Sequence, residues 1–106
     1  NGFETLQICG LGIGGGGPHE YIEIARTSLE EIKAHILSVD HPDAEAIIVS
    51  CTDFPSLSLI PALEEELKKP VISSNQATFW AALRAADIKD YFSDFGILLT
   101  KHNWSE

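Results

Sequence analysis

The apolar residues of this chain fall into two kinds of pattern. Ala46-Ile-Ile-Val-Ser50 is too short for a helix and too apolar to alternate, which predicts a strand covered on both faces. Thr5 to Ile13 and Val71 to Ser74 read as further strands, the first loosened by glycines, and Gly96-Ile-Leu-Leu-Thr100 as a last one. Between them the period changes. Ile22, Ala25, Leu29, Ile32 and Ile36 recur at spacings of three and four, one stripe of a long amphipathic helix from Pro18 to about Ser38. Pro61 to Lys69 is a second helix with Leu63 and Leu67 inward, its Glu64–Lys68 and Glu65–Lys69 pairs forming a solvated face. Asn75 caps a third through about Ala86, with Phe79, Leu83 and Ala86 on the core side and Trp80 beside them. Strands alternating with helices predict an α/β fold: a flavodoxin-like parallel sheet with helices on both faces.

The chain of 106 residues is read as a single α/β lobe over 1–106. Asn1-Gly-Phe looks like the end of a helix that has no preceding turns, so the chain is expected to begin in mid-fold, as a fragment of a longer protein or the second of two lobes. Sixteen acids against seven bases give a net charge of −9, which repels phosphate backbones and anionic lipid, so no nucleic-acid or membrane partner is expected. A local set of donors still accommodates an anionic substrate. Cys9 falls in mid-strand and Cys51 at a strand end, roughly four residues or about 13 Å apart along the sheet, too far for a disulfide. A reducing, cytoplasmic compartment follows as the expectation.

In an open parallel sheet ligands bind at the carboxyl ends of the strands. Three loops leave those ends here: Gly14–His19, Cys51–Pro55 and Ser73–Gln76. Cys51, Thr52, Asp53, Ser73, Ser74, Asn75 and Gln76 are thereby expected on one rim, a thiol beside an acid, hydroxyls and amides. Plainer readings stand next to this one. Cys51 also fits as a small buried hydrophobe, Asp53 as an acid near a helix start, and Ser73 or Asn75 as a helix cap. Gly10-Leu-Gly-Ile-Gly-Gly15 matches G-x-G-x-x-G in form, but the next strand ends in Ser50 and Cys51 where a dinucleotide site needs an acid. His19 is read as exposed, and His35, His41 and His102 have no metal-site spacing.

Cys51-Thr-Asp-Phe-Pro-Ser-Leu resembles the second-cysteine motif of the aspartate/glutamate racemase superfamily. Pro70-Val-Ile-Ser-Ser-Asn-Gln-Ala-Thr-Phe-Trp80 looks like the matching stretch of its maleate isomerase and arylmalonate decarboxylase branch. The resemblance implies two α/β lobes with one cysteine from each, this chain being the C-terminal one without its first strand and helix. It implies no cofactor and no metal, and a small carboxylate or dicarboxylate as substrate. Cys51 becomes the catalytic acid/base or nucleophile, with Thr52, Asp53, Ser74, Asn75 and Gln76 binding substrate. The absent N-terminal lobe is the implied partner, and a homo-oligomer is expected; the isolated chain is expected to be inactive. Asp53 stands where the family has His or Glu, and the Gly14–Gly17 loop where its isomerases carry a site asparagine. Two other readings remain open on the residues: a non-catalytic module holding an anion or nucleotide, and a lobe that dimerises through an unpaired sheet edge.

Overall fold

A computed structural model describes residues 2–103. Its centre is a pair of parallel strands, β1 (Ile47–Val49) and β2 (Val71–Ser73), in the register Ile47 with Val71, Ile48 with Ile72 and Val49 with Ser73. Five α-helices lie around them: α1 (Tyr21–Ala25), α2 (Leu29–Val39), α3 (Ile60–Leu67), α4 (Ser74–Ala85) and α5 (Ile97–Lys101). Short 3-10 turns over Pro18–Glu20 and Leu57–Leu59 lead into α1 and α3.

Strand alternation decides which side chains meet. Ile47, Val49 and Val71 point to one face, where Ile32 and Ile36 of α2 and Ile60 and Leu63 of α3 close over them as a single core. On the other face Ile72 borders a cavity shared with Trp80 of α4 and Leu98 of α5. Its ladder partner Ile48 is 77% exposed. Helices therefore cover both faces of β2 and one face of β1, the expected α/β layering.

Several elements depart from the pattern. The Pro18–Ser38 helix is broken at residues 26–28, where the Ser28 hydroxyl accepts from Glu31 N at 3.2 Å and starts α2 afresh. Ser-x-x-Glu is a start signal, and here it overrides an apolar stripe that ran straight through it. Residues 2–13 form no strand. Phe3 and Ile8 are 94% and 90% exposed, and Gly2 and Gly12 sit at positive φ, so no row of side chains packs to make a ladder favourable. Gly96–Thr100 is helical rather than extended: Glu64 Oε2 accepts from Ile97 N at 2.9 Å, placing a carboxylate at the amino end of α5. A three-residue apolar run fits either state until such a partner is known.

Glu64 is accordingly not on a solvated face. It is 8% exposed, and its other oxygen accepts from Val71 N at 3.1 Å, so one carboxylate joins α3, β2 and α5. The expected lysine pairs are replaced too. Lys68 takes the left-handed conformation that ends α3, while Lys69 Nζ reaches Asp40 at 2.7 Å and the His41 carbonyl at 3.1 Å. In α4 the buried face differs from the expected one. Phe79 is 51% exposed and Ala86 exposed, whereas Gln76 and Arg84 are buried, with Trp80 half-buried between them at helical spacing. Arg84 earns its burial by donating to the carbonyls of Ile88, Asp90 and His102, gathering the chain beyond α4.

Candidate functional site

The chain leaves β1 through exposed Ser50 into Cys51, which is half-buried, and then exposed Thr52 and Asp53. Both ends of this turn are fixed: Val49 lies in the ladder, and Phe54 packs against the core formed with α2 and α3. Buried Ser56 then opens the 3-10 turn, its carbonyl accepting from Leu59 N at 2.9 Å. A thiol is thus set just past the carboxyl end of a central strand by elements that the core holds rigid.

The neighbouring rim is the start of α4. Ser73, not Asn75, is the cap: its hydroxyl accepts from Gln76 N while Gln76 Oε1 accepts from Ser73 N, a complete capping box. Ser74 Oγ donates to the Val49 carbonyl at 3.4 Å, and Asn75 Nδ2 donates to the Thr52 carbonyl at 2.9 Å. Parallel pairing of β1 and β2 brings these residues together, as strand-end logic requires. Thr52 and Asn75 are therefore neighbours across the rim. Gln76 turns inward instead, with Nε2 donating to the Phe95 carbonyl at 2.6 Å. Both ends of its amide are engaged by the protein.

The glycine loop is organised differently from a phosphate cradle. Gly14 N and Gly16 N both donate to Glu20 Oε2, at 3.2 and 3.0 Å. The chain's own carboxylate fills that position, and a side chain on Gly16 would overlap it. His19 is exposed and lies 3.9 Å from Glu20. Cys9 is exposed and Cys51 half-buried, both as free thiols; Cys9 is outside any strand, with its carbonyl 3.2 Å from His35 Nε2.

Two cavities lie elsewhere. One of about 280 Å3 is lined by Glu64, Gly96, Thr100 and Lys101 among others; the second, of about 330 Å3, includes Ile72, Trp80 and Leu98. Neither includes Cys51. The first is floored by a carboxylate already bound to two backbone amides, and the second is mostly apolar. The open rim brings together the Cys51 thiol, Thr52, Asp53, Ser74 and Asn75. Sequence reasoning missed the burial of Glu64 and Arg84, the two buried charges among the described residues. Among the described residues no helix is long and apolar enough to cross a membrane, and no three His, Cys, Asp or Glu gather as metal ligands.

Comparison with known proteins places this geometry in context. The family model described as arylmalonate decarboxylase matches residues 1–99. Arylmalonate decarboxylase of Bordetella bronchiseptica is 44% identical over 45 residues, 42% of this chain and 19% of that protein. Maleate isomerase of Geobacillus stearothermophilus is 28% identical over 101 residues, 94% of this chain and 38% of that protein. A crystal structure of arylmalonate decarboxylase superposes with a TM-score of 0.67 at 29% identity, covering 74% of this chain and 36% of that one. A mutant of it in a sulfate-associated form gives 0.66 at 27% identity, over 91% and 38%. The chain thus spans well under half the length of these relatives, as one α/β lobe of a larger protein would. The chain belongs to the arylmalonate decarboxylase family.

Proposed function

We propose that this chain supplies the Cys51 side of a cofactor-independent, cysteine-dependent enzyme that isomerises, racemises or decarboxylates a small carboxylate or dicarboxylate. The observation that supports it best is the placement of a half-buried thiol past the carboxyl end of β1, beside the start of α4. A thiol serves such reactions in three ways. It returns a proton to the carbon of an enediolate left by decarboxylation, it removes or returns the α-proton of a racemising acid, or as thiolate it adds to an activated double bond. In each case negative charge develops on the substrate carboxylate. Donors fixed before the reaction stabilise that charge at no reorganisation cost.

In this reading the Thr52 backbone N–H faces the carboxylate, and Asp53 stands where the family's proton-handling His or Glu lies. Ser74 and Asn75 shape the rim, and Gln76 holds the α4 start that carries them. A second lobe, outside this chain, completes the site with the partner acid or base. The two free thiols suit a reducing, cytoplasmic setting.

The test is proton NMR in D2O on α-substituted acids, maleate and arylmalonates, using this chain and a version extended by a whole upstream lobe. The expected result is deuterium incorporation, isomerisation or decarboxylation by the extended version alone, with the responding substrate naming the reaction. No turnover by the extended, folded protein on any of the three classes would overturn the proposal.

A further inference from the structure

The turn after β1 is clamped from α4. Between its two fixed ends, Val49 in the ladder and Phe54 on the core, residues 50–53 lie outside strand and helix. Asn75 acts there: its Nδ2 holds the Thr52 carbonyl at 2.9 Å. The peptide joining Thr52 to Asp53 is trans, hence planar, with its C=O and N–H pointing in opposite directions. A carbonyl drawn toward α4 therefore turns the Asp53 N–H the other way. We propose that Asn75 is a positioning residue that fixes this peptide plane, so that the Asp53 N–H joins the Thr52 N–H as a donor to the substrate carboxylate. The proposal rests on the reading of Cys51 given above.

The alternative plane shows why a clamp matters. Rotated by half a turn, the same peptide presents its carbonyl oxygen to an anion and repels it. No strand or helix bond holds the plane, because Thr52 and Asp53 lie outside both. Ser73 and Gln76 already cap α4, so the Asn75 side chain is not required to start the helix. The two roles separate chemically. Aspartate at the second position of a helix favours its positive end as well as asparagine does, but carries no N–H to hold a carbonyl. Histidine keeps an N–H, on Nδ1, at the same bond count from Cα.

Amide 15N relaxation on this chain reads the clamp without any substrate. In the parent, Thr52 and Asp53 are expected to be as ordered as β1, with order parameters of about 0.85. Asn75→Ala and Asn75→Asp are expected to bring both below about 0.6, and Asn75→His to retain the parent value. Asn75→Asp keeps the helix start, so its order parameters report the lost donor rather than unfolding. Values for Asn75→Asp equal to the parent's would overturn the clamp. In the extended enzyme, kcat/KM is expected to fall about tenfold in Asn75→Asp. That is less than the roughly 10²–10³-fold of a removed oxyanion donor because the Asp53 N–H is loosened rather than lost, and Asn75→His is expected to recover part of the fall. Loss of order at Thr52 and Asp53 with unchanged kcat/KM would overturn the catalytic part. Full turnover in Cys51→Ala is a separate result: it removes the reading of Cys51 while the relaxation data still judge the clamp.

Discussion

Replacing Glu64 tests the claim that one buried carboxylate ties three elements together. Its two oxygens accept from Val71 N and Ile97 N at 3.1 and 2.9 Å, and the residue is 8% exposed. Hydrogen bonds to a charged acceptor contribute about 1.5–3 kcal/mol each after exchange with water is counted. The two amides fare differently once the carboxylate is gone. Val71 is fully buried, so its N–H is left without water, whereas Ile97 borders a cavity of about 280 Å3 and is reached by solvent. Glu64→Ala is therefore expected to cost about 3–4 kcal/mol, a large share of the ~5–15 kcal/mol available to a domain. Glu64→Gln keeps one acceptor and turns an NH2 toward the other amide, so about half that loss is expected. Urea unfolding followed by far-UV circular dichroism measures both. A loss below about 1 kcal/mol in Glu64→Ala, or equal losses in the two variants, would refute the bridging role.

Two further outcomes follow from backbone geometry. Gly96 has φ +91, and a Cβ there would meet Ile60 Cγ2 at 2.6 Å and Gln76 Nε2 at 2.7 Å, so Gly96→Ala combines strain with overpacking. A loss of about 2–4 kcal/mol in the same urea experiment is expected, and a neutral result would mean that the turn into α5 is free to move. Lys68 holds φ 59 without being glycine, so Lys68→Gly is expected to raise stability by about 0.5 kcal/mol, the relief of strain exceeding the added freedom of the unfolded chain. A lowered melting temperature in that variant would contradict it.

The parts of the fold legible in the sequence were those whose signals are local and redundant. Ile47–Val49 and Val71–Ser73 are short β-branched runs bounded by turns, and α3 lies between a proline at its start and a proline beyond its end. The rim followed from these, because two parallel strands place their following turns side by side, and Thr52 meets Asn75 there. What was not legible depended on long-range partners. Ile97–Lys101 is helical with a carboxylate 33 residues earlier at its start, and nothing in its own three apolar residues selects helix over strand. The inward turn of Gln76 has the same origin, since Phe95 supplies the acceptor. Residues 5–13 alternate well enough for a strand, but alternation predicts only which face would be buried, not that a neighbour exists to bury it. The break at Ser28 is a different case: its Ser-x-x-Glu signal is local to the sequence and outweighs the apolar stripe that runs through it.

The central claim is that Cys51, rather than the exposed Cys9, carries the chemistry of this lobe. Turnover of the lobe-extended enzyme, measured by NMR on its responding substrate, decides it through two variants, Cys51→Ala and Cys9→Ala. Loss of a positioned acid or base predicts a fall of about 10²–10⁴-fold for Cys51→Ala, with Cys9→Ala unchanged and both proteins melting with the parent. Full turnover in Cys51→Ala, or a matching loss in Cys9→Ala, would contradict the account.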